Sequence, residues 1–288
     1  MKKTAFAATL AALFTFTPQA AALFTFTPQA DTVGLYLGGQ IWQSEASGIF
    51  GEKNTLIDFN LKKEQQSNYF VAVEHPFPLL PNVRISSTTL DTVGKTNLTQ
   101  EFSFDDKTFP IDADVDASFN VSYVDYTLYY ELFDNGLFSF DLGLTARDFN
   151  GAVTVTGKTN IVTTSTDSIL DGEEHEGHNH NVTETTSTVT ATGKIKTDEI
   201  VPMLYVATNI NLPLTDLSVF AQSDFLLIDD HSLYDYQVGL SYDLVDRRMM
   251  DFNLTLGYRA VKMEFENLEN LYTDLEFKGA FVGVIAHF

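Results

Sequence analysis

The run 171–180, DGEEHEGHNH, sets His175, His178 and His180 among Glu173, Glu174 and Glu176. Imidazoles and carboxylates suit Zn, Ni or Cu, and His-rich tracts serve some chains as metal scavengers. The spacing matches no closed structural metal site, so the competing reading is a solvated acidic loop. A second group is Asp125, Glu131, Asp141, Asp224, Asp235 and Asp243 against Arg84, Arg147 and Arg259. Gathered around one lumen, these charges would line a narrow, cation-preferring pore or close it by pairing with one another. A third group is apolar: Phe119, Phe149, Val153, Met263, Phe265 and Phe277, with Val115, Val261 and Leu275. It reads as a pocket for a small hydrophobic compound or as a packed core. Nothing in the sequence calls for a cofactor.

What must position these groups is clearest in the hairpin Ile111–Lys158, with its turn at Asp134-Asn135-Gly136. Strand residues alternate faces with period two. On the first arm the even positions Asp112, Asp114, Asp116, Ser118, Asn120 and Ser122 are polar. The same parity then turns apolar at Val124, Tyr126, Leu128, Tyr130 and Leu132. The odd positions do the reverse, from Ile111, Val115, Phe119 and Val121 to Asp125, Thr127 and Glu131. The second arm mirrors this about the turn: Phe138, Phe140, Leu142, Leu144 and Ala146, then Asp148, Asn150, Thr154 and Thr156. A register slip would have to recur in both arms at one distance from the turn. Constant facing with a change of solvent explains both at once. Near the turn the outer face meets lipid, and farther away it meets water. The apolar band covers roughly 20–25 Å, the height of a barrel's lipid belt.

The chain has 288 residues and a net charge of −22, which disfavours nucleic acid as a partner. It has no cysteine, which excludes disulfides, thiolate metal sites and a cysteine nucleophile, and suits passage through an oxidising periplasm. Residues 1–30 read as a secretory signal: Lys2 and Lys3, an apolar run from Ala5, then small residues before Asp31. Within it, 11–20 is repeated identically as 21–30, a tandem duplication. Cleavage is placed after Ala30, with Ala20-Ala21-Ala22 as the other candidate. No later run is long enough for a spanning helix, so 31–288 must cross a membrane as a closed barrel.

The switch recurs along the chain. Val33, Leu35, Leu37 and Ile41 make a lipid face, with Trp42 inward; Val83 and Ile85 start another, which Phe102 and Phe104 end facing inward. A return strand near Tyr69–Val73 has no clear phase. A long polar loop is expected over about 159–189. Lys194, Lys196 and Asp198 give way to Pro202, Leu204, Val206 and Ile210, with a bulge or bend expected near Pro202. Strands 217–227 and 233–245 meet at Asp229-Asp230-His231. Phe252–Ala260 and Ala280–Phe288 complete ten antiparallel, up-and-down strands, with short turns at one end and long loops at the other. No lipid-facing position in these spans carries a charge. Tyr130, Phe138, Tyr242, Phe252 and Phe288 suggest a lower aromatic girdle. A secreted β-sandwich also alternates, but it does not reverse repeatedly at one height.

The last strand, GAFVGVIAHF, resembles the insertion signal of outer-membrane barrels: an aromatic last residue, Phe288, with alternating apolars and Gly283 at the expected offset. Ala286 and Phe281 depart from that pattern. With DTVGLYLGGQIW and YTLYYELFDNGLFSFDLGLTAR, the chain is similar to an uncharacterised family of Gram-negative outer-membrane β-barrel proteins. That resemblance implies outer-membrane location, lipid and lipopolysaccharide as surroundings, and the barrel insertion machinery as a partner, while the even strand number puts both termini on the short-turn, periplasmic side. It implies no activity. The acidic upper exterior adds divalent cations as a candidate partner. Asp229-Asp230-His231 separately resembles the Asp-x-His pair of omptin proteases, which are also ten-stranded. That resemblance implies that Asp229 and His231 polarise a water opposite Asp105 or Asp106. The omptin strand motifs are missing, and the bland account is a polar turn. The expectation is therefore a transmembrane β-barrel extending beyond the membrane on the extracellular side. Its role would be structural, or passive binding of a hydrophobic compound, without catalysis. A small pore and an omptin-like protease are the alternatives.

Overall fold

Sustained alternation produces strands longer than a bilayer needs. A computed structural model describes residues 33–52, 55–77, 79–166, 182–228, 231–245, 250–268 and 271–288. In chain order its strands are β1 (Gly34–Glu52), β2 (Thr55–Asp58), β3 (Glu64–Glu74), β4 (Asn82–Asn97), β5 (Phe102–Phe104), β6 (Lys107–Phe109) and β7 (Asp114–Asp134). There follow β8 (Phe138–Thr166), β9 (Val182–Thr197), β10 (Ile200–Asn211), β11 (Leu217–Ile228), β12 (His231–Val245), β13 (Asp251–Leu268) and β14 (Leu271–His287). Ten of them, β1, β3, β4, β7, β8 and β10 to β14, pair antiparallel in that order. The pairing of β14 with β1 closes the barrel. The expected segment 1–30 lies outside the described residues.

Along β7 buried and exposed positions alternate from Asp114 to Glu131, and a register shift between Glu131 and Phe133 then leaves Leu132 and Phe133 both exposed. Leu128 and Leu142 face outward, 43% and 37% exposed. Val115, Phe119 and Val121, higher on the opposite parity, are buried inside. One facing therefore persists while the surroundings change. Outward Leu35, Leu37, Ile41, Val71, Val83, Ile85, Leu240, Leu254, Leu256, Val282 and Val284 continue the apolar band around the wall. A band this continuous belongs in hydrocarbon, so the barrel is transmembrane. β3 resolves its own phase, with Tyr69, Val71 and Val73 outward and Gln66, Asn68 and Ala72 inward.

Several expected boundaries move. The central hairpin's first arm begins at Asp114, because Asp112 takes a left-handed turn conformation (φ 64°) and leaves Ile111 exposed. Much of the expected polar loop is strand: β8 runs on to Thr166 and β9 starts at Val182, forming a ribbon that rises above the barrel. Thr and Val on both arms favour this extended pairing. Pro202 stays in the ladder opposite Ala146. The break lies at Asp198–Glu199, between β9 and β10, where the Phe149 N–H donates to Glu199 O.

Phe102 and Phe104 do not extend β4. They belong to the small β5–β6 hairpin, whose turn residues Asp105 and Asp106 both have positive φ (51° and 57°). This left-handed pair matches the twist of a tight hairpin. The hairpin lies across the barrel mouth. Phe102 packs near Gly51, Phe104 near Gly193 and Phe109 near Gly157. A Cβ on Gly193 would stand 2.5 Å from Phe104 O, so the wall is notched to seat this lid. The Asp105 N–H donates to Glu52 Oε1 (2.6 Å), and Asp105 Oδ2 accepts from the Lys194 N–H (2.9 Å). The lid's Phe102, Phe104 and Phe109 join Phe50, Phe59, Phe119 and Phe277 below them in one buried aromatic core.

Candidate functional site

Below that core the lumen changes from apolar to ionic. Asp125 on β7 and Arg147 on β8 are direct cross-strand neighbours, so register alone brings them together. Arg147 Nε donates to Asp125 Oδ1 (2.7 Å) and Nη2 to Asp125 Oδ2 (2.8 Å), the two-pronged geometry that guanidinium and carboxylate share. The same Nη2 reaches Asp235 Oδ2 on β12, at 2.8 Å. Arg259 on β13 donates to both oxygens of Asp235, at 2.9 and 2.8 Å. Tyr123 Oη donates to Asp235 Oδ2 (2.7 Å) and accepts from Arg259 Nη2 (3.1 Å). The Arg147 guanidinium lies 3.8 Å over the Tyr123 ring, and that of Arg259 5.5 Å from the Trp42 ring.

β7 and β13 stand opposite each other in the ring of staves, so this layer spans the lumen. All its members are buried. Asp224 and Asp235 are paired residues on β11 and β12, a like-charge pair that needs cations from across the barrel. Asp224 accepts a hydrogen bond from Thr145 Oγ1, which also bonds Thr127. Gln40, Gln237 and Gln222 continue the polar fill as a chain of hydrogen bonds, Gln40 Nε2 donating to Gln237 Oε1 (3.1 Å) and Gln237 Nε2 to Gln222 Oε1 (3.2 Å). A cavity of about 10 Å³ remains, lined by polar groups including Asn68, Arg84, Ser86 and Asp224. That is room for about one water.

The sequence-derived charges thus separate. Asp125, Arg147, Asp235 and Arg259 form the layer, and Asp224 stands beside it as the cross-strand neighbour of Asp235. Arg84 lies lower and stacks 3.5 Å from the Phe70 ring. Glu131 and Asp141 are half-buried cross-strand neighbours nearer the short turns. There Tyr129 Oη donates to Glu74 Oε1 (2.7 Å). Asp243 sits apart, exposed at the lower rim. The sequence places Trp42 and Gln40 inward, whereas Tyr123, Thr145, Gln222 and Gln237 are not singled out there, although their inward parity marks them.

The apolar set does converge: Phe119, Phe149, Val153, Met263, Phe265 and Phe277 are all buried in the upper core. The Phe149 ring packs on Tyr123 and Phe265, and Phe119 on Phe277. His175, His178 and His180 lie outside the described residues, as do Asp229 and the side chain of His231. Among the described residues no cluster of three or more potential ligands could hold a metal ion. Gly283 faces inward against Thr255 and Gln40, where a Cβ has no room. Phe288 is exposed at the rim, its backbone bonded in both directions to Leu35.

No family model and no curated protein matches the chain. Among solved structures it is similar to the outer membrane protease OmpT from Escherichia coli, at 10% identity and a TM-score of 0.43, with 92% of this chain and 99% of that one covered. The transport unit of the autotransporter AIDA-I from Escherichia coli gives 10% identity and a TM-score of 0.33, covering 98% and 97%. The Pseudomonas putida toluene transporter TodX gives 7% and 0.28, covering 93% and 92%. At these identities the likeness goes no further than architecture, and the fold rests on the chain's own strand pairing.

Proposed function

We propose that this chain is a closed outer-membrane barrel with a structural role: a rigid, membrane-anchored platform that carries the lid and the β8–β9 ribbon above the surface. It passes no solute and performs no catalysis. The short turns and both termini face the periplasm, and lipopolysaccharide surrounds the upper wall. The observation that carries this reading is the ion-pair layer Asp125–Arg147–Asp235–Arg259, which crosses the lumen beneath a packed aromatic core. A pore needs a continuous polar path, and this interior is blocked twice. A hydrophobic ligand would have to displace rings already packed on one another. Asp105 spends its carboxylate on the Lys194 N–H, which favours a lid-fastening role over that of a catalytic acid.

The test is single-channel recording with the refolded protein in planar bilayers, together with titration of a fluorescent hydrophobic probe. Electrical silence and no saturable probe signal are expected. Stable conductance steps would establish a pore, and saturable probe binding a ligand pocket. Cleavage of dibasic peptides would establish a protease.

A further inference from the structure

At the short-turn end, side chains that a water-facing loop would not choose stand in the open. Phe77, Leu79 and Leu80, in the turn joining β3 to β4, are 61%, 88% and 58% exposed. Leu137 follows the β7–β8 turn at 50%, and Leu214, between β10 and β11, is fully exposed. Leu214 also has φ 66°, a left-handed conformation that Gly or Asn adopts at less strain. The three turns make one surface. Tyr130 Oη donates to Leu79 O (3.4 Å), and Asn211 donates from its backbone N–H to Leu137 O and from Nδ2 to Gly136 O, both at 2.8 Å.

We propose that these three turns are a lipid foot, which buries in the acyl–headgroup boundary of the leaflet at the short-turn end. This rests on the membrane reading above. Continuity argues for lipid as the occupant, because the turns lie directly below outward Val73, Val83, Phe138 and Ile210 of the belt. Extent argues for it too. The turns serve β3, β4, β7, β8, β10 and β11, six successive staves of the ring, an arc that a bilayer covers and one docked protein does not. Elsewhere on the described rim Asp251 and His287 stand 3.4 Å apart, beside exposed Leu244 and Phe288.

The chain has no cysteine, so single labels can be placed on it directly. Nitroxides would be attached to Leu79→Cys, Leu137→Cys and Leu214→Cys in phosphatidylethanolamine–phosphatidylglycerol vesicles. Leu128→Cys in the belt and Lys107→Cys on the lid are the references. The proposal expects all three turn labels to collide with lipid-dissolved oxygen as Leu128→Cys does, and little with a water-soluble nickel chelate. Collision with nickel, as for Lys107→Cys, would overturn it. Shielding from both would also overturn it, pointing to a protein partner or a second copy. If Leu128→Cys itself meets nickel, the membrane reading fails instead, so the two failures are distinguishable.

Discussion

Removing the Arg147 guanidinium would strand Asp125 and Asp235 in the lumen without their shared cation. Breaking a buried pair from one side costs about 3–5 kcal/mol, so Arg147→Ala should lower the unfolding free energy of the refolded barrel, read from urea titration, by that much. Arg147→Lys should recover only part, since an ammonium cannot make the two-pronged contact with Asp125 and also reach Asp235. Asp91, on β4 above the belt, carries a different prediction. One of its carboxylate oxygens, Oδ1, is buried without a partner, and burial, with Glu64 adding to it, raises its carboxyl above the usual range. The folded state then holds the proton more tightly than the unfolded chain. This contribution to stability is full at low pH and is lost as pH rises from the ordinary carboxylate value through the raised one. Asp91→Asn should therefore stabilise the barrel at pH 7 and flatten the dependence between pH 4 and 7, measured by urea unfolding at both. Parity marked Asp125 and Arg147 as inward in the sequence. It could not show that Arg147 reaches Asp235, because that contact joins staves 88 residues apart through barrel closure.

Among the elements, the β5–β6 lid is the one that periodicity missed. Three-residue strands are too short to show a period, and Phe102 and Phe104 read naturally as the top of β4. The clue was Asp105-Asp106 between Phe102-Ser103-Phe104 and Lys107-Thr108-Phe109, a pair able to take the left-handed turn. The long strands were legible because their alternation is sustained, and the outward Thr and Asn above the belt left no other phase. If the lid is seated by the notch at Gly193, filling that notch should release it. Gly193→Ala puts a methyl 2.5 Å from Phe104 O, against backbone that cannot swing aside. The overpacking should cost about 1–3 kcal/mol, concentrated in the lid. Limited trypsinolysis followed by mass spectrometry should show cleavage after Lys107 in this variant, with the native lid resistant under the same conditions. Equal resistance in both would mean that the lid is held by something other than its fit to the wall.

At the scale of the whole molecule, belt and ring were written in the pattern of single strands, whereas the filling of the ring was not. The same inward charges could have stayed apart and lined a path. What decides between these is how far β7–β8 stand from β12–β13 across the barrel, a distance set by closure. Two barriers in series should then behave as such. Replacing residues 101–110 by a Gly-Ser linker removes Phe102, Phe104 and Phe109, yet the ion-pair layer below still spans the lumen, so planar-bilayer recordings should stay silent. Arg147→Ala with Tyr123→Ala thins the layer but leaves the lid, and silence is again expected. Only the combination should conduct, provided that it still migrates as a folded barrel in unheated gels. Its steps should be small and cation-preferring, because Glu74, Asp125, Glu131, Asp141, Asp224 and Asp235 would then face the path against Arg84 and Arg259. Conduction by either single construction would mean that one barrier alone closes the barrel, and silence in the folded combination would place a third block lower in the lumen, at Tyr129, Tyr205 and Glu74.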